Sequence, residues 1–215
     1  MSNLVTTIIP DNLRQELVNF YYSDNSEYWY AYNSRSFLDS NDHISPIDSN
    51  HDNIVYYKKM NAGRRTYSLK HNQELYKKVS AFGRLVCENE GLDTSKIVDI
   101  PQDQPLPHLL VGVFKDKNSK SLGVQSHTDQ DASSGWMHVR INYMLQSPTK
   151  GGESVVNNKI QPMLAVGQGS VMLASRWLHR VMPVTGDRHR ITLSLGYYVE
   201  PSYYSDVIAR DYVPK

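Results

Sequence analysis

The sequence has a single cysteine, Cys87, among its 215 residues, so no disulfide can form within the chain. No apolar run approaches the roughly 18 residues that a membrane-spanning helix needs. The first residues, MSNLVTTIIPDNLRQEL, lack the basic segment and apolar core of a secretory signal. These absences predict a soluble protein in a reducing, intracellular compartment, and we expect it in the cytoplasm.

The sequence also lacks an excess of charge of either sign. Lysine and arginine number 23, aspartate and glutamate number 22, and the formal net charge is +1. This balance argues against a protein that mainly binds nucleic acid or an anionic membrane, although a local basic site is still compatible with it. We therefore expect neither kind of partner.

The length bounds the architecture. A chain of this size fits one domain, residues 1–215, and can bury about 70% of the surface that it exposes when unfolded. It can therefore fold without a metal ion, and we expect any metal site in it to be functional.

Helices are predicted in the first half of the chain. A short one should follow Pro10, with Asp11 near its N-cap. The clearest helix runs from about Gln73 to Asn89, with Asn72 as its cap and Gly91 as its left-handed terminator. Its buried face is predicted to carry Leu75, Val79, Phe82, Leu85 and Val86.

Residues 23–68 are rich in Ser, Asn, Asp and Tyr and show little periodicity. Such a stretch is typical of a long ordered loop or a mobile lid. Its aromatic residues and arginines favour a lid over a substrate pocket, with a solvated linker as the alternative.

Strand patterns dominate after Gly91, separated by Gly, Pro, Ser and Asn. They cover residues 109–114, 139–145, 153–157, 170–173 and 191–199. Helices followed by a run of short strands predict a mainly β fold whose sheet closes or doubles on itself, with the helices packed outside.

Three residues form a candidate metal site: His127, Asp129 and His179. Positions i and i+2 of a strand point the same way, so His127 and Asp129 can reach one point in space. A histidine from a distant strand would complete two imidazoles and one carboxylate, the facial triad of non-haem Fe(II) oxygenases. An H-x-D motif alone is a weak signal, and a surface histidine followed by a solvated aspartate is its alternative reading.

The segment LHRVMPVTGDRHRITLSLGYYV strengthens the metal interpretation. Together with the motifs before it, it resembles the 2-oxoglutarate/Fe(II)-dependent dioxygenase superfamily, in particular the prolyl-hydroxylase-like branch. That branch shows, in order, H-x-D, a G-G-E turn, a G-S pair before a strand, and H-x-V-x-P-V followed by an arginine. The matching residues are His127 and Asp129; Gly151, Gly152 and Glu153; Gly169 and Ser170; His179, Val181, Pro183 and Val184; and Arg188.

The resemblance covers about residues 107–199 and implies a fold. We expect a double-stranded β-helix, the cupin-like jelly-roll core, over residues 107–199. Residues 1–106 would supply the N-terminal helices and the lid.

The resemblance also implies an activity, the hydroxylation of an unactivated C–H bond of a small amino-acid-like or peptidyl substrate. 2-Oxoglutarate would be decarboxylated to succinate. The implied cofactors are Fe(II), 2-oxoglutarate and O2, with ascorbate as a candidate stimulant. His127, Asp129 and His179 would be both the metal ligands and the catalytic centre.

The C5 carboxylate of 2-oxoglutarate needs a buried cation, because a buried carboxylate is costly unless it is paired. Arg188 and Arg190 are the candidates, expected on one strand face. The resemblance favours Arg188, with Arg190 as the alternative, and adds Tyr143 as a hydroxyl donor to the same carboxylate. His108 and His138 could approach the site from neighbouring strands, although a structural role suits each better.

Two other functions remain open. One is a nucleic-acid demethylase on the same fold, which the near-neutral charge disfavours. The other is a non-catalytic binding protein that retains the barrel, which the intact triad disfavours. The sequence leaves the substrate and the oligomeric state undetermined.

Overall fold

The computed structural model describes residues 3–23, 64–69, 72–99, 108–115, 123–132 and 134–212. Most of the predicted lid, and part of the loop after Phe114, lie outside these ranges. Within them, no helix is long and apolar enough to cross a membrane.

Two helices lie in the first half of the chain, as predicted. They are α1 (Asp11–Tyr22) and α2 (Gln73–Asn89). The Asn72 side chain accepts a hydrogen bond from the backbone N–H of Leu75 at 3.1 Å, which caps α2. Gly91 has a φ of +70°, as a left-handed terminator requires. The N-cap of α1 is Pro10 rather than Asp11, and no side chain caps that helix.

The buried face of α2 differs from the prediction at Leu85, whose side chain is 46% exposed. At about 100° per residue, Leu85 lies roughly 80° around the axis from Leu75, on the side away from Gly83. Gly83 and Cys87 take its place on the buried face. The prediction for Leu85 was therefore wrong, because a one-residue step from Val86 turns a side chain out of the packed face.

The described residues contain ten strands: β1 (Arg64–Ser68), β2 (Ile97–Val98), β3 (His108–Val113), β4 (Val124–His127), β5 (Met137–Gln146), β6 (Ser154–Val156), β7 (Lys159–Ile160), β8 (Gly169–Met172), β9 (His179–Val181) and β10 (Arg190–Val199). All five predicted strands are among them, as β3, β5, β6, β8 and β10.

The strands form two antiparallel sheets. The major sheet has the order β1-β3-β10-β5-β8, with β2 also paired to β10. The minor sheet has the order β4-β9-β6-β7. Strands distant in sequence are neighbours in both sheets, which is the crossing connectivity of a jelly roll.

The hydrophobic core lies between the major sheet and the helices. Leu17 of α1 and Val79 of α2 pack with Tyr143, Leu193 and Leu195 of the sheet. A smaller apolar cluster, Val113, Val124 and Val184, lies apart from this core. Because the helices cover only one face of the major sheet, its other face is left to line a cavity.

The chain adds a C-terminal helical segment that the sequence did not predict. It consists of α3 (Pro201–Tyr203), a π-helical turn (Tyr204–Ile208) and α4 (Ala209–Tyr212). Tyr204, Ile208 and Tyr212 join the main core.

Candidate active site

The three predicted metal ligands come from two neighbouring strands and one loop. His127 ends β4, His179 begins β9, and the two residues are directly paired across the minor sheet. Asp129 follows β4, and its backbone N–H donates to the carbonyl of Ala174 at 2.9 Å. This backbone bond holds the loop against the turn that follows β8.

The three side chains converge on one point. One potential ligand atom from each of His127, Asp129 and His179 lies within 4.8 Å of the other two. Asp129 Oδ1 is 3.5 Å from His127 Nε2 and 3.7 Å from His179 Nε2. The two imidazole rings are 4.3 Å apart between centroids. The structure therefore brings together a candidate His-Asp-His facial triad.

The tautomer of His179 suits metal binding. Its Nδ1 lies 2.8 Å from the Trp177 carbonyl oxygen, which can only accept, so Nδ1 carries the proton. Nε2, which faces Asp129, is left with its lone pair. Burial lowers the pKa of His179 despite the nearby carboxylate, so the imidazole is neutral at pH 7, as a metal ligand must be.

The second oxygen of Asp129 is occupied by other groups. Arg140 Nε donates to Asp129 Oδ2 at 2.8 Å, and His138 Nδ1 lies 3.4 Å from the same oxygen. Burial alone would raise the pKa of the Asp129 carboxyl, but Arg140 and His127 outweigh it and hold that pKa well below its usual range. The carboxylate is therefore ionised, with Oδ1 turned toward the two histidines. This donor set fits a divalent iron ion.

His138 approaches the site from β5, as one of the two sequence readings allowed. Its ring stacks on Tyr198 at 4.7 Å. Burial and the neighbouring Arg140 lower the pKa of His138 to about 3, so its imidazole is neutral. It lies beside Asp129 Oδ2, the carboxylate oxygen that is not turned toward the two triad histidines.

The G-G-E turn packs against the segment that follows the His179 strand. Gly151 and Gly152 have φ angles of +78° and +82°, in the left-handed region that favours glycine. The Gly152 N–H donates to the Pro183 carbonyl at 3.2 Å. A Cβ at Gly151 would lie 2.2 Å from that same oxygen. The turn thus packs against the V-x-P-V segment and keeps β6 beside β9.

The triad opens into a cavity of about 490 Å³. The major sheet contributes one face, alternating along each strand as the pleat requires. These lining residues are Leu109, Val111, Arg140, Asn142, Met144, Ser170, Met172, Arg190, Thr192 and Ser194. Arg64, Arg180, Leu4 and residues 161–164 also line it.

Arg190 is a buried cation of this cavity. Its side chain is nearly inaccessible, with the residue 6% exposed. Its Nη1 lies 3.4 Å from the Thr192 hydroxyl and its Nη2 lies 3.2 Å from the Ser154 hydroxyl. Its Nε is buried and has no hydrogen-bond partner among the described residues. Burial lowers the pKa of Arg190 to about 10, so the guanidinium is charged at neutral pH.

Arg188 has a different environment. It lies in a bend before β10, it is exposed, and its Nε donates to the Ser147 carbonyl at 2.6 Å. It is not among the residues that line the cavity. The expectation that both arginines share a strand face fails because β10 begins only at Arg190.

Tyr143 also lies outside the cavity. It is fully buried on the helix-facing side of β5, where its hydroxyl donates to the Thr7 carbonyl at 3.1 Å. Its ring meets that of Phe82 edge-on at 5.1 Å. A Cβ at Gly169 would lie 2.6 Å from the Tyr143 ring, so that glycine makes room for it. Asn142 and Met144 are the cavity-facing neighbours instead.

Arg140 is the site residue that the sequence reasoning missed. A signal for it exists, because Arg140 and Asn142 alternate with Val139, Ile141 and Tyr143 along β5. Asp131, two residues after Asp129, accepts from the His138 N–H at 2.9 Å and pairs with Arg176 at 2.8 Å. It is a loop residue outside the triad.

No protein-family model matches the chain, and no curated protein matches its sequence significantly. Solved structures do. The chain is similar to a prolyl hydroxylase from Trichoplax adhaerens in complex with a hypoxia inducible factor oxygen degradation domain peptide fragment. The two share 13% sequence identity over 94% of this chain and 84% of that one, with a TM-score of 0.56. AviO1 from Streptomyces viridochromogenes Tue57 is 14% identical over 91% of this chain and 88% of that one, with a TM-score of 0.51.

At this level of identity, the likeness establishes the fold. The fold is a double-stranded β-helix, as in the prolyl hydroxylase structure, and the predicted fold class is confirmed. The structural match to a prolyl hydroxylase extends over more than nine-tenths of the chain, beyond residues 107–199, which carried the sequence resemblance.

Proposed function

We propose that this protein is a 2-oxoglutarate- and Fe(II)-dependent oxygenase that hydroxylates an unactivated C–H bond of a small amino-acid-like or peptidyl substrate. The observation that carries the proposal is the convergence of His127, Asp129 and His179 in a cavity that also holds a buried arginine. Two imidazoles and one carboxylate on one face leave coordination positions open for a co-substrate and oxygen.

We assign the three triad residues to the iron. When bound there, Fe(II) supplies the activation of O2 that couples conversion of 2-oxoglutarate to succinate and CO2 with insertion of one oxygen atom into a substrate C–H bond. The chain supplies the rest: Asp129 is held ionised by Arg140, and His179 is held in one tautomer by the Trp177 carbonyl.

We assign the C5 carboxylate of 2-oxoglutarate to Arg190 rather than to Arg188. The buried Nε has no partner among the residues that the structure describes, and together with the hydroxyls of Thr192 and Ser154 it offers a carboxylate charge-assisted hydrogen bonds. Ser154 lies two residues before Val156 on β6, and Val156 pairs with His179. Ser154, whose hydroxyl contacts Arg190 Nη2, therefore lies about 7 Å along β6 from the residue paired with His179, a separation suited to a short diacid.

A row of small polar side chains crosses the cavity wall between these two points. Ser194, Asn142 and Ser170 are paired in register on β10, β5 and β8 and all line the cavity. A few polar groups in a largely apolar wall are what fixes the orientation of a small ligand. The peptide in the Trichoplax structure supports the peptidyl alternative for the substrate.

The test is succinate release from 2-oxoglutarate by the Fe(II)-loaded protein in air, with panels of free amino acids, peptides and methylated oligonucleotides. We expect succinate formation that an amino acid or peptide stimulates and that His179→Ala abolishes. Stimulation by an oligonucleotide alone would instead identify a demethylase. Absence of succinate under all conditions would leave a binding protein.

A further inference from the structure

A second buried arginine lies beside the metal centre, at the other end of the cavity from Arg190. Arg140 is 6% exposed and lines the cavity. It pairs with Gly196 of β10, which lies roughly 20 Å along that strand from Arg190 at about 3.4 Å per residue. Because Arg140 contacts Asp129, the triad lies at the Arg140 end of the sheet.

Arg140 has an unused donor. Its Nε is taken by Asp129, but its Nη1 is buried and has no hydrogen-bond partner among the residues described. A buried guanidinium N–H without an acceptor is costly, and the acceptor that fits it best is a carboxylate. On the proposed function, 2-oxoglutarate extends from the triad toward Arg190. That placement leaves the Arg140 end to the second molecule.

The charged residues that line the cavity also favour an anionic second ligand. Besides Arg64, three arginines line the cavity, at positions 140, 180 and 190. Among the described residues, the lining has one carboxylate, that of Asp129. A divalent metal and dianionic 2-oxoglutarate would cancel each other. The occupied cavity would therefore keep a positive potential, which favours an anionic second ligand.

The remaining wall near Arg140 is apolar. Met172 pairs with Arg140 across β5 and β8, and Met163, Leu164 and Leu4 line the cavity beyond the sheet. We infer, on the basis of the proposed function, that the substrate is a carboxylic acid with an apolar body, whose carboxylate accepts a hydrogen bond from Arg140 Nη1. A neutral peptide segment could offer that donor only a carbonyl oxygen, without the charge of a carboxylate.

The experiment uses the protein loaded with Mn(II) and 2-oxoglutarate under nitrogen, so that no turnover is needed. The probes are matched pairs, N-acetylproline with N-acetylprolinamide and N-acetylleucine with N-acetylleucinamide. Paramagnetic broadening of the acetyl methyl NMR line by Mn(II) reports binding near the metal. We expect each acid to bind at least about tenfold more tightly than its amide, the effect of one charge-assisted hydrogen bond.

Variants assign the effect to Arg140. Arg140→Gln should abolish the preference for the acid, Arg140→Lys should retain part of it, and Arg188→Gln, outside the cavity, should leave it unchanged. Equal binding of acids and amides by the natural protein, or no binding of either at millimolar concentration, would overturn the inference without any variant. So would a preference that survives in Arg140→Gln.

A further arm separates the two carboxylates that Arg140 Nη1 could meet. The affinity of the Mn(II) protein for 2-oxoglutarate alone is measured for each variant. A loss of about tenfold or more in Arg140→Gln, with Mn(II) affinity retained, would assign the donor to the C1 carboxylate of 2-oxoglutarate and overturn the inference about the substrate. Failure of the proposed function is a separate result, since it would show as no succinate from the Fe(II) protein.

Discussion

Arg190 of β10 donates an N–H to the hydroxyl of Ser154 on β6 at 3.2 Å, and this bond joins the two sheets across the cavity. The contact places the Arg190 guanidinium beside the minor sheet, in the interior and not at the surface. It is the structural basis for choosing between the two candidate arginines.

Arg190→Gln should raise the apparent KM for 2-oxoglutarate by about 30-fold or more. The reason is that a buried carboxylate left without its cation loses roughly 2–5 kcal/mol. Arg188→Gln is the matched control, because its guanidinium is exposed and bonded to the Ser147 carbonyl, and it should change the KM little. Steady-state succinate formation measures both. The opposite ranking would restore Arg188 and leave the triad untouched.

The two arginines also show where the sequence stops being informative. H-x-D, the G-G-E turn and the distal histidine could be predicted, because their residue types and order carry the chemistry. The choice between Arg188 and Arg190 depends on the residue at which β10 begins, and the segment DRHRI offers no apolar alternation that would locate that start.

The sequence does indicate which side chains of β5 face the helices and which face the cavity. Tyr143 shares its parity with Val139 and Ile141, and all three face the helices. Arg140 and Asn142 have the other parity and face the cavity. The family resemblance suggested the tyrosine, while the alternation of polar and apolar residues indicated its neighbours. The contact between Arg140 and Asp129 could not be predicted, since it joins a strand to a loop through tertiary packing.

His127→Ala, Asp129→Ala and His179→Ala should each abolish turnover while the protein stays folded, because the core does not depend on the ion. Each should weaken Fe(II) or Co(II) binding by more than the roughly 10–100-fold that loss of a supporting residue costs. Calorimetric metal titration and circular dichroism measure the two effects. Asp187→Ala, at an exposed position, is the control. Wild-type metal affinity in any triad variant would remove that residue from the site.

Asp99→Asn should destabilise the protein at pH 7 by about 1–2 kcal/mol, a value reduced for the partial exposure of the group. Asp99 Oδ2 lies 3.5 Å from His108 Nε2 and accepts from the Tyr76 hydroxyl at 2.8 Å. His108, followed by Tyr76, holds the pKa of the Asp99 carboxyl below its usual range, although burial opposes them.

The contribution of the Asp99 carboxyl to the stability of the folded protein should fall as the pH is lowered. A carboxyl with a depressed folded-state pKa contributes stability above its unfolded pKa, near 4, and loses that contribution as the pH falls toward the folded value. Urea denaturation at pH 7 and pH 3 should therefore show a smaller difference between the natural protein and Asp99→Asn at pH 3. A difference that is constant with pH would mean that Asp99 acts through packing and not through its charge.

Gly83→Ala should destabilise the protein by about 1–3 kcal/mol, as overpacking of a core does, although alanine is the better helix former. Gly83 is a buried position of α2, and a Cβ there would lie 1.9 Å from the Tyr197 hydroxyl oxygen. That hydroxyl is buried and has no hydrogen-bond partner among the described residues, so Tyr197→Phe should cost little by itself.

The double variant, Gly83→Ala with Tyr197→Phe, should recover much of the loss, because the clashing atom is gone. Chemical denaturation of the four proteins gives the coupling between the two positions, which we expect to exceed about 0.5 kcal/mol in favour of the double variant. Simple additivity of the two changes would show that the helix shifts away from the sheet instead, and that the close approach of α2 to β10 does not depend on this glycine.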